Sequence, residues 1–67
     1  NRSDLRALRL EELVLGAATK NEGITRSDVV GLLHINAQAA YRLLLRLTEQ
    51  GKLRKEGKRR HTKYFVP

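Results

Sequence analysis

The chain has no cysteine, no methionine and no tryptophan, a single proline, and three aromatic residues in all. Without cysteine no disulfide can brace the fold and no thiolate can hold a metal, which fits a reducing compartment. Its two histidines, His34 and His61, lack clustered carboxylates, so no metal site is expected. No apolar run approaches the ~20 residues that span a bilayer. The run Leu43-Leu44-Leu45 sits between Arg42 and Arg46, and a membrane partner is not expected. No signal peptide pattern opens the chain. The missing methionine, at position 1 included, is expected of a segment excised from a longer protein. Neither a nucleophile–base constellation nor a glycine-rich phosphate loop is present, and adjacent Glu11 and Glu12 diverge on a helix. A non-enzyme without cofactor is the expectation. With so few aromatics, the stacking platform that single-stranded bases need is also missing.

What the chain does have is positive charge, placed unevenly. Of a net +7, residues 52–66 supply +6: Lys52, Arg54, Lys55, Lys58, Arg59, Arg60 and Lys63 against Glu56. Residues 1–51 are nearly neutral, seven basic residues facing six acidic ones. A concentrated positive field on an ordered projection points to a polyanion. A solubilising surface would mix the two signs. Lysines on an edge strand also discourage aggregation, which gives Lys52, Lys55 and Lys63 a second reading.

At 67 residues this is one small domain. Such a chain buries only about 60% of the surface its unfolded form exposes. Residues 1–8 read as an N-terminal extension, with Asn1 to Asp4 expected to fray, and residues 9–67 as the domain. A helical period runs from Leu5 to Glu22, with Leu10, Leu13, Val14, Ala17 and Ala18 inward and Arg9, Glu11, Glu12 and Lys20 outward. Asn21-Glu-Gly23 stops it, and Ile24 suits one short strand. Thr25 and Asp28 have capping-box spacing for a second helix, interrupted at Leu33-His-Ile-Asn36. Asn36 is a strong N-cap for a third helix, Ala37 to about Gln50, stopped by Gly51. One stripe of that helix is Ala37, Ala40, Leu44 and Leu47, flanked by Leu43 and Tyr41. The opposite stripe is Gln38, Arg42, Arg46 and Glu49, with Leu45 at the boundary. Two alternating stretches, 52–55 and 62–66, then read as a hairpin around Gly57. That alternation sends one of Tyr64 and Phe65 inward. The fold class is mainly α with a small β-hairpin.

This order resembles a three-helix winged helix-turn-helix domain over about residues 9–66: helix, short strand, helix, turn, helix, wing. The resemblance rests on Ile24-Thr-Arg-Ser-Asp-Val-Val30, the turn Leu33-His-Ile-Asn36, Ala40-Tyr-Arg-Leu-Leu-Leu-Arg-Leu47, and Gln50-Gly-Lys-Leu53 entering the wing. It implies burial of Val29, Leu33, Ile35, Ala40 and Leu43. Where the family has a turn glycine this chain has His34, and histidine tolerates the left-handed region better than most residues. Val30 replaces the small residue usual in helix two.

Such a domain is expected to bind double-stranded DNA, as part of a transcription regulator or another DNA-handling protein, in the cytoplasm with the nucleoid or in a nucleus. Outward on the third helix's first turns, Gln38 can pair with adenine and Arg42 with guanine, with Tyr41 alongside. Arg46, one turn on, reaches a phosphate. The wing, through Lys55, Lys58, Arg59, Arg60, His61 and Lys63, follows the backbone or the minor groove. Thr25, Arg26 and Ser27, at the start of helix two, can hold a phosphate. The competing expectation is a protein–protein module using Leu45 and the first helix, since winged helices also serve in that way. A homodimer or attachment to a parent protein is compatible with either.

Overall fold

The computed structural model describes residues 2–58 and 62–67, with side chains from Leu5 onward in the first helix. Three helices precede a two-stranded antiparallel hairpin: α1 Arg2–Lys20, α2 Arg26–Leu33, α3 Ala37–Glu49, β1 Arg54–Glu56 and β2 Lys63–Phe65. The mainly helical class with a small hairpin is as expected. Helix α1 runs back to Arg2, three residues before the start its apolar period suggests. At its other end it stops two residues short of Glu22, where Asn21 N–H still donates to Ala17 O (2.9 Å) and Gly23 N–H reaches Ala18 O (2.8 Å). Glu22 (φ 54°) and Gly23 (φ 118°) turn the chain through left-handed backbone.

The cap chemistry follows the sequence. Thr25 Oγ1 accepts from Asp28 N–H (3.1 Å) while the Asp28 carboxylate accepts from Thr25 N–H (2.9 Å), closing the capping box on α2. Asn36 Oδ1 accepts from Ala39 N–H at 2.7 Å at the head of α3. Each such cap contributes about 1 kcal/mol. His34 sits at φ 55°, ψ 43°, the left-handed position that ends α2, and its N–H donates to Val30 O. Leu47 O accepts from Lys52 and Leu53 N–H as Gly51 (φ 76°) turns the chain into the hairpin.

The three helices, β2 and the residues Ile24 and Leu53 contribute to one core, while β1 is exposed along its length. The core comprises Val14 and Ala18, Ile24, Val29, Ala40, Leu43, Leu44, Leu47, Leu53 and Tyr64. Leu33 and Ile35 pack against it half-buried, so the turn buries its expected positions to differing depth. Three expectations need correction. Leu13, placed inward by the period, is 46% exposed, because the inward line of α1 runs Leu10–Val14–Ala18. Glu11, placed outward, is 7% exposed and meets Lys52 Nζ at 3.4 Å, a partner forty-one positions away. Ala37 is exposed, since the core stripe of α3 begins one turn later at Ala40.

The strands pair as Arg54↔Phe65, Lys55↔Tyr64 and Glu56↔Lys63, starting two residues later in β1 than the alternation suggested. Ile24, expected to form one short strand, makes a single antiparallel bridge beside the hairpin instead: Ile24 N–H donates to Tyr64 O and Tyr64 N–H to Ile24 O, both at 2.8 Å. Tyr64 is the inward aromatic, and Phe65 the half-buried one.

Candidate functional site

The hairpin's two faces differ in chemistry because paired residues share a face. One face carries Arg54, Phe65, Glu56 and Lys63. There one acid stands among two cations: Arg54 Nη2 meets Glu56 Oε2 at 2.9 Å, and Arg54 and Lys63 lie 6.0 and 5.9 Å from the centre of the Phe65 ring. Gly23 makes room for this face. A Cβ on it would stand 2.8 Å from Phe65 Cε1 and 2.9 Å from Lys63 Cε.

The other face carries the row Ile24–Tyr64–Lys55. Both backbone groups of Tyr64 bond to Ile24, so Lys55↔Tyr64 is a non-hydrogen-bonded pair, the kind whose side chains stand closest. Lys55 and Tyr64 form one wall of a half-open cleft of about 270 Å³, with Thr62 beside them. The opposite wall is the start of α2, Thr25, Arg26 and Ser27, and Tyr41 of α3 closes the end. Capping satisfies Asp28 N–H, and Val29 N–H donates to Thr25 O (3.1 Å). That leaves the amides of Arg26 and Ser27 without partners among the described residues, at the positive end of α2. Burial pushes the Tyr64 hydroxyl above its ordinary pKa of 10.0, Tyr41 adds to the rise, and Arg26 opposes it. The hydroxyl therefore stays protonated through the neutral range, able to donate.

The cleft thus joins five predicted site residues from three separate stretches: Thr25, Arg26, Ser27, Tyr41 and Lys55. Gln38, Arg42 and Arg46 lie exposed on α3 with Tyr41, outside the cleft. Lys58 is exposed just beyond β1. Lys63 is exposed on the other hairpin face, over Phe65. Arg59, Arg60 and His61 lie outside the described residues. Two cleft residues, Thr62 and Tyr64, were not singled out as site residues. The signal for Tyr64 was its register opposite Lys55, which no local pattern prints. His34, a turn residue, is exposed and away from the cleft.

A second, more apolar surface runs along α1, where Leu5 and Leu8 are 68% and 52% exposed and stand beside Leu13, Arg9 and Glu12. Among the described residues no three acidic or histidine side chains cluster as a metal would need, and no helix is long and apolar enough to cross a membrane. No family model matches the chain, and neither a curated protein nor a solved structure does.

Proposed function

We propose that the chain is a winged helix-turn-helix domain that binds double-stranded DNA, with α3 in the major groove and the hairpin as the wing on the phosphate backbone. The observation that carries this reading is the cleft. The amino end of α2, Lys55 of the hairpin and Tyr41 of α3 converge on one cationic recess beside the exposed Gln38–Arg42 face. A duplex presents phosphates flanking the groove it opens, so a recess of donors next to a polar helix face suits a backbone contact beside a base contact. The roles divide accordingly. Gln38 and Arg42 carry base discrimination, about 1–3 kcal/mol for each good pair, and the wing cations carry affinity without sequence.

Salt titration of binding to a random duplex tests this. With about six phosphate contacts, affinity falls by roughly 10³-fold between 50 and 200 mM salt. A flat response, or no binding at low salt, overturns the reading. A transcription regulator is the parent we propose.

The exposed leucines of α1 favour a second reading. A helix with Leu5, Leu8 and Leu13 outward has an apolar face that a protein partner could cover. That reading places the partner on α1, away from the cleft, and predicts salt-insensitive association.

A further inference from the structure

Resting on the DNA-binding reading above, we infer that Tyr64 is a phosphate contact: its hydroxyl donates to a non-bridging oxygen of one DNA backbone phosphate seated between Arg26 and Lys55. Two independent observations converge on it. The residue is only 5% exposed, yet its hydroxyl has no hydrogen-bond partner among the described residues. No buried side-chain oxygen among those residues lacks a partner, so this hydroxyl must touch solvent, and Tyr64 lines the cleft. Tyr41 and Arg26, which act on the hydroxyl electrostatically, line the same cleft. The ring is held in the core while the hydroxyl opens onto solvent in the cleft, which leaves its donor available to an occupant.

The recess selects for an anion. Arg26 and Lys55 supply charge from opposite walls, and the Arg26 and Ser27 amides point out of the capped end of α2. All of these donate, as does the protonated Tyr64 hydroxyl, which suits an oxygen with acceptor capacity only. Phosphate meets that condition at every step of a duplex. Asp28, the acid at this end of α2, has its carboxylate tied to Thr25 N–H and is not part of the cleft lining.

Tyr64→Phe keeps the ring that packs in the core and removes only the donor. Measured by fluorescence anisotropy on a random duplex, it is expected to bind about tenfold more weakly, as for loss of one hydrogen bond to a charged group. The slope of affinity against salt stays unchanged, because a neutral donor releases no counterion. A second readout needs no variant: the ring Cζ resonance of Tyr64 in the unaltered chain shifts when duplex is added. If the chain binds duplex while Tyr64→Phe binds equally well, or while the Cζ resonance stays still, the inference is overturned and the DNA reading stands. If the unaltered chain fails to bind duplex at low salt, both fall together.

Discussion

The two faces of the hairpin share a few residues of sequence and one sign of charge, yet they spend that charge differently. On the outer face Arg54 is matched by Glu56, and Arg54 and Lys63 both lie near the Phe65 ring. On the inner face Lys55 stands beside a buried tyrosine and across a recess from Arg26 and the amino end of α2. A run that reads as one cationic block is thus divided by strand alternation into a surface that carries its own acid and one that lines the cleft. Counting charge along a sequence gives the size of a field; register decides which part of it can meet a partner.

The sharpest way to break this comparison is to remove charge from each face in turn. Arg26→Ala with Lys55→Ala is expected to weaken duplex binding about 10- to 100-fold and to flatten the salt slope by nearly two. Arg54→Ala with Lys63→Ala, of equal formal charge, is expected to change affinity less than about threefold, since both lie outside the cleft and Glu56 already offsets one of the two charges. Equal losses would show that only total charge matters. Next in size is Gly23→Ala, which strikes the seat of the outer face. Its φ of 118° and the 2.8 Å approach to Phe65 Cε1 leave no room for a methyl group. Urea denaturation should show a loss of about 1–3 kcal/mol. The smallest effect belongs to Lys52, paired to Glu11 at 3.4 Å but 46% exposed at its side chain. Solvent screening limits Lys52→Ala to about 0.5 kcal/mol in the same denaturation assay.

Much of the frame was legible because its signals are local. Thr25 with Asp28, Asn36, Gly51 and His34 each act on backbone within a few positions, and each does in the structure what its chemistry suggests. Alternation alone put one of Tyr64 and Phe65 inward, and the structure selects Tyr64. What escaped were features that depend on distant chain. Leucines stand all round α1, at positions 5, 8, 10, 13 and 15, so its period could not tell Leu13 from Leu10 as the inward residue. Glu11 looked like an outward acid until Lys52 arrived from the start of the hairpin. The candidate site was half legible for the same reason. Its cations could be named one by one, but their meeting around Tyr64 depends on Ile24 pairing with β2.

That pairing has a thermodynamic consequence. The cleft has one wall from Thr25, Arg26 and Ser27 and another from Lys55, Thr62 and Tyr64, and it exists only while the hairpin is docked on Ile24. Whatever occupies it binds the folded chain and not the unfolded one, and so clasps two distant segments together. By mass action an occupant at a hundred times its dissociation constant adds about 2.7 kcal/mol to stability. For a domain this small, that is a large share of what keeps it folded.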